Sequence, residues 1–132
     1  MSTKIVPVFL EFVFPPGEAS PLHVHADEQE TFYLLSGAMR FWVGGVVTDL
    51  LPGQTLTAPY AVPHAYRVTS ATNAIALVIT TGGKFERMVN EIGRSAEAPG
   101  LPVPNLPLPD DTARLASIAE ANGITILGSP PI

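Results

Sequence analysis

Three histidines, His23, His25 and His64, carry the most chemical information in this chain. His23 and His25 form a His-x-His pair, and on an extended segment side chains two apart point to one face, so both can reach the same metal ion. Glu30 comes five residues after His25 and leads an apolar run, Thr31 to Leu35, whose odd and even members face opposite ways. That parity lets Glu30 share the inner face with Phe32 and Leu34. Three neutral imidazoles with one carboxylate suit Fe(II), Mn, Ni, Co, Cu or Zn, whereas Ca and Mg prefer oxygen throughout. Four protein donors on an octahedral ion leave two positions for water, dioxygen or a chelating substrate, as a catalytic centre requires.

Neighbouring residues extend this set. Asp27 and Glu28 flank the histidines and read as solvated loop carboxylates, with a general-base role as the alternative. Tyr33 has parity opposite Glu30 and reads as packing. Tyr66 shares parity with His64, so it is a candidate to donate its hydroxyl to a substrate oxyanion, set against a plain wall role. Alternation puts Arg67 outside if His64 is inside, and neither Arg40 nor Arg67 reads as a substrate clamp.

The elements that must position these residues are short runs rich in Val, Ile, Phe, Tyr and Thr. They are Lys4–Phe14, Thr31–Ser36, Ala38–Val43, Val46–Leu50, Gln54–Ala58, Ala65–Thr69 and Ala74–Thr80, punctuated by Pro15-Pro16-Gly17, Gly44-Gly45, Pro52-Gly53 and Pro59. Their even spacing predicts a sandwich or barrel, not βαβ units. Beyond Gly83 the period changes: Phe85, Met88, Val89 and Ile92 mark one helix face that Gly93 can end. Five prolines between Pro99 and Pro109 make an extended connector. A second helix is expected from Asp110 or Asp111, either able to cap it, with Leu115, Ile118 and Ala119 on one side. Ile124–Leu127 reads as a strand added to an edge. One domain is expected, with residues 1–82 as the barrel and 83–132 as a helical, Pro-rich extension docked on it, because both helix faces are too apolar to leave in water.

Two segments carry a resemblance. Gly17, His23, His25, Glu30 and Gly37 fit G-x5-H-x-H-x4-E-x6-G throughout, and Gly53, Pro59 and His64 fit G-x5-P-x-G-x2-H-x3-N, except that Ala61 and Val68 replace the second Gly and the Asn. Together they resemble the cupin superfamily. The resemblance implies a mainly β fold, a cupin-type antiparallel barrel or jelly roll, with one divalent transition metal on His23, His25, Glu30 and His64. Ala61 touches a turn and Val68 loses a polar structural residue, but neither removes a ligand.

The activity this implies is that of a metal-dependent dioxygenase, similar to the flavonol-oxidising (quercetinase-like) cupins, acting on a phenolic or enolisable small molecule. Glu30 and Tyr66 are then the catalytic candidates, Glu30 as proton acceptor. A redox-neutral cyclase or isomerase of a polyketide-like substrate, and a non-catalytic small-molecule-binding module, stay open beside it. Phe12, Phe14, Met39, Phe41, Trp42, Phe85 and Met88 read as core filling, yet the same rings around a metal make an apolar pocket suited to flat aromatic ligands.

Composition excludes other classes. A chain of 132 residues has room for one core, and its net charge of −5 supplies no basic field for nucleic acid. The longest apolar run, Ala74 to Ile79, is six residues against the ~20 that a bilayer needs, so no membrane span is expected. No signal peptide is read, and the absence of cysteine points to a cytoplasmic home. A homodimer is expected, since Ile124–Leu127 is an apolar strand without an obvious partner. The histidine set makes the first testable expectation: His23→Ala, His25→Ala and His64→Ala each severely lower metal occupancy, measured by elemental analysis after purification without added metal. Full occupancy in any two of the three variants contradicts the four-ligand set.

Overall fold

A computed structural model describes residues 7–92 and 109–132. The beginning of the first run, the Gly93 stop and most of the proline connector lie outside those residues. Eight strands come first: β1 (Val8–Phe14), β2 (Leu22–His25), β3 (Glu30–Ser36), β4 (Met39–Val43), β5 (Val46–Leu50), β6 (Thr55–Ala58), β7 (His64–Val68) and β8 (Ala74–Thr80). Helices α1 (Lys84–Ile92) and α2 (Pro109–Ala121) follow, then strand β9 (Ile124–Gly128).

The strands form two sheets, β1-β8-β3-β6 and β5-β4-β7-β2-β9, antiparallel at every pairing. This is a jelly-roll sandwich. Alternation drives it: in β3, Glu30, Phe32 and Leu34 are buried while Leu35 faces solvent, and in β8, Ala74, Ala76, Val78 and Thr80 point inward. The small inward residues of β8 leave room for large ones opposite, so Phe14, Phe32, Phe41, Leu34 and Met39 fill the space between the sheets. Each such side chain contributes about 1.5–3 kcal/mol on full burial.

Turn chemistry keeps the strands in register. Gly44 and Gly45 form the two-residue connection of β4 to β5, and both have positive φ, as a twisted tight hairpin requires. Gly37 has φ +83, and a Cβ there would lie 2.7 Å from the Ala74 Cα, so the β3–β4 turn can approach β8 only as glycine. Ala61 occupies the left-handed region too, with φ 57, at the turn before β7 where the motif has glycine.

The two helices sit at one end. Phe85 of α1 packs against the core, 6.0 Å from the ring of Phe12, while α2 packs on α1 and β9. Ala119 and Ile124 are buried in that contact region. The start of α2 differs from expectation: it begins at Pro109, so Asp110 and Asp111 fall inside its first turn instead of ahead of it. Proline's fixed φ suits a first helical position, which explains the earlier start. Ile124–Leu127 is indeed an edge strand, and β9 pairs with β2 within the same chain. That pairing removes the reason for which it suggested a second copy.

Ala61 makes the fold testable. Ala61→Gly should stabilise the protein by about 0.5–1 kcal/mol, because relief of left-handed strain exceeds the added freedom of the unfolded chain. The residue is exposed and its N–H still donates to the His25 carbonyl at 2.9 Å. Denaturant titration reads the change, and a loss of stability would contradict the strain.

Candidate metal centre

The centre lies where the two sheets face each other at one end of the sandwich. His23 on β2 stands directly opposite His64 on β7, and His25 follows on the same face of β2. The opposing sheet contributes Glu30, the first residue of β3, whose backbone is held between Ala58 of β6 and Thr80 of β8. Three imidazoles from one sheet thus meet one carboxylate from the other. Ligand-capable atoms of all four residues lie within 4.8 Å of one another. Glu30 Oε2 is 3.0 Å from His25 Nε2 and 3.9 Å from His64 Nε2. The His23 and His64 ring centroids are 4.3 Å apart.

Backbone contacts orient two of the rings. His23 Nδ1 lies 2.8 Å from the Pro21 carbonyl and His64 Nδ1 lies 3.1 Å from the Val62 carbonyl. A carbonyl only accepts, so both Nδ1 atoms carry the proton and both Nε2 lone pairs are free. Among the described residues, His25 Nε2, His64 Nε2 and Glu30 Oε2 are buried with no hydrogen-bond partner. Orphaned buried polar atoms cost about 1–3 kcal/mol each, and here they converge on one another. A divalent cation satisfies them together, and the donor set fits a transition metal.

Electrostatics prepare the same state. Burial, reinforced by neighbouring His64, pulls the His23 imidazolium down to about 4, and burial likewise lowers His64. Burial pushes the Glu30 carboxyl up, but contact with His25 and the surrounding imidazoles outweighs it and holds Glu30 below the usual carboxylate range. Neutral imidazoles beside an ionised carboxylate are the protonation states that a metal requires.

Tyr66 does face inward, as its parity with His64 implies, with its ring packed 5.0 Å from Phe14 and near Phe32 and Phe41. Burial raises its phenol far above the ordinary value, followed by the charges of Glu18 and Glu30, so the hydroxyl is a donor and not a base at neutral pH. His23 is half-buried while the other three members of the cluster are buried, which leaves the His23 side as the more open one. Phe12 and Phe14 stack at 5.5 Å, and Phe85 stands edge-on to His25 at 5.6 Å. Helix α1 therefore borders the cluster on its His25 side. Tyr33 is directed away from the core, and Arg67 faces outward to the carbonyls of Gly17 and Ile132.

One expectation is corrected. Glu28 is not a solvated loop carboxylate: it is 4% exposed and accepts from the backbone N–H groups of Lys84 at 2.5 Å and Phe85 at 3.4 Å. It caps α1 from the loop between His25 and Glu30. The cap joins residues 56 apart, beyond any local capping pattern, and the one local hint is that Gly82 and Gly83 ahead of α1 bring no capping side chain of their own. Asp27 is exposed, as expected, and pairs with the Lys84 ammonium.

The Cupin domain family matches residues 10–80, more than half of the chain, which therefore belongs to the cupin family. It is similar to quercetin 2,3-dioxygenase of Bacillus subtilis (strain 168), at 34% identity over 79 residues, covering 60% of this chain and 23% of that protein. The chain thus spans about a quarter of that relative's length. A solved structure from Thermus thermophilus is 31% identical with a TM-score of 0.55, over 61% of this chain and 76% of that one. A predicted oxalate decarboxylase from Thermotoga maritima is 26% identical with a TM-score of 0.53, over 56% of this chain and 64% of its own. Among the described residues no helix is long and apolar enough to cross a membrane.

The lowered imidazoles give a pH prediction for the metal-free protein. In the unfolded chain His23 takes up a proton near 6.5, whereas in the folded chain it resists until about 4. The unfolded state binds more protons in that window, so stability is intact above pH 6.5 and falls as pH drops toward 4, by on the order of 3 kcal/mol for this residue. His64 and Glu30 act in the same direction. Urea midpoints at pH 7, 5.5 and 4.5 measure it, and a midpoint that holds or rises on acidification contradicts it.

Proposed function

We propose that the protein is a metal-dependent dioxygenase of a phenolic or enolisable small molecule, with His23, His25, Glu30 and His64 as metal ligands. The supporting observation is the buried Glu30 carboxylate, held ionised among three imidazoles beside an aromatic wall. The similarity to quercetin 2,3-dioxygenase supports the same reading. A bound divalent transition metal would supply Lewis acidity toward a substrate hydroxyl and the electronic means to use dioxygen.

The chain's own groups do the rest. Glu30 accepts the proton of the substrate hydroxyl at a carboxylate oxygen, since it is anionic and inside the cluster. Tyr66, kept protonated, donates to the resulting oxyanion from two residues along β7. Phe12 and Phe85, only partly buried, offer apolar surface to an aromatic substrate and limit water near the reacting carbon.

An oxygen electrode with the metal-loaded protein and a panel of flavonols and β-diketones tests this. Substrate-dependent uptake is expected, whereas substrate turnover without uptake would instead indicate cyclase or isomerase chemistry. Glu30→Gln should retain metal in part, through its amide oxygen, while turnover falls by roughly 100-fold or more, the scale of a lost general base. Unchanged turnover with metal bound would remove Glu30 from proton transfer.

A further inference from the structure

The loop from Ala26 to Gln29 joins His25 to Glu30, and the Asp27 and Glu28 carboxylates and the Gln29 backbone in it are tied to the segment that launches α1. Gln29 N donates to Thr81 Oγ1 at 3.0 Å, and Thr81 N donates back to the Gln29 carbonyl at 3.2 Å. Asp27 pairs with the Lys84 ammonium. Glu28, almost fully buried, takes both opening N–H groups of α1 on its carboxylate. Gly82 packs so closely that a Cβ there would come within 3.2 Å of Glu28 Oε1. The helix and the metal loop are therefore seated on each other.

Phe85, the second residue of α1, is what this seating delivers to the site. Its ring meets His25 edge-on at 5.6 Å and Phe12 at 6.0 Å. A buried carboxylate devoted to a helix of nine residues is costly unless its position matters, and the position it fixes is that of one aromatic ring beside His25. We infer that Phe85 is a specificity-determining residue that limits the bulk of the ligand admitted beside the metal, and that Glu28 is the positioning residue that holds it there. The ring admits a flat phenolic ligand along its face and excludes one with substituents standing out of the plane. This inference rests on the proposed metal site but not on the reaction, since it concerns which ligand enters and not what happens to it.

The test therefore reads binding, under nitrogen, to protein loaded with Co(II). The Co(II) visible absorption reports that the metal site is intact, and catechol and 3,5-di-tert-butylcatechol are titrated separately. Wild type should favour catechol. Phe85→Ala should lower the Kd of the bulky catechol at least tenfold while changing that of catechol less than threefold, and Phe85→Leu should fall between. Glu28→Gln should shift the ratio in the same direction, because an amide oxygen accepts more weakly at the helix start. The double variant Glu28→Gln/Phe85→Ala should match Phe85→Ala alone, since Glu28 acts through the ring. An unchanged ratio in Phe85→Ala and Phe85→Leu with the Co(II) spectrum intact overturns the inference, as does additivity in the double variant or failure of all forms to bind catechol. A shifted ratio in a protein that consumes no oxygen with any substrate leaves the inference standing and removes the dioxygenase reading. Oxygen consumption with an unchanged ratio does the reverse.

Discussion

A carboxylate buried between two sheets and facing three imidazoles is the constraint on which the rest of this protein depends. Taking such a charge out of water costs several kcal/mol, and the imidazoles offset it only partly while they stay neutral. Glu30 stays ionised because His25, His64 and His23 all surround it, and His23 and His64 stay neutral because burial opposes their protonation. The cluster is thus short of one positive charge at its centre. A cation placed there resolves the desolvation of Glu30 and the free lone pairs of the histidines at once, which is why the geometry favours a metal over an ordinary hydrogen-bonded core.

Holding that arrangement is the task of the sandwich. His23 and His64 are brought into contact only because β2 and β7 pair with those two residues in register, and a slip of β2 by one residue would turn His23 and His25 outward. Glu30 reaches across because β3 is an inner strand, clamped by β6 and β8. The aromatic core between the sheets keeps them at the spacing that a glutamate can bridge. On the outside, β9 supports β2 along its other edge, and α1 returns to His25 under the hold of Glu28. Remote segments of the chain therefore stiffen the strand that carries His23 and His25 and the loop that leads from it to Glu30.

Much of this was legible in local patterns. The His-x-His pair, the parity of Glu30 with Phe32 and Leu34, and the glycine and proline punctuation depend on neighbours a few residues apart, and periodicity of two reports them directly. The features that escaped are those in which distant residues meet. Glu28 looked like a loop carboxylate because the helix it caps begins 56 residues later, and β9 looked unpaired because its partner β2 is too short to announce itself as a strand. That α1 sets Phe85 beside His25 depends on one cap and one ring, which no helical period encodes. Ala61 was visible as a departure from the motif, but its cost appears only in the backbone angle it must adopt.

The central claim is that three imidazoles and one carboxylate of this chain share one ion. X-ray absorption on protein loaded with a single equivalent of Co(II) tests it most directly, because multiple scattering from imidazole rings counts them. The account predicts three imidazole ligands, with oxygen donors completing the shell. A spectrum requiring only one imidazole, or none, would contradict it.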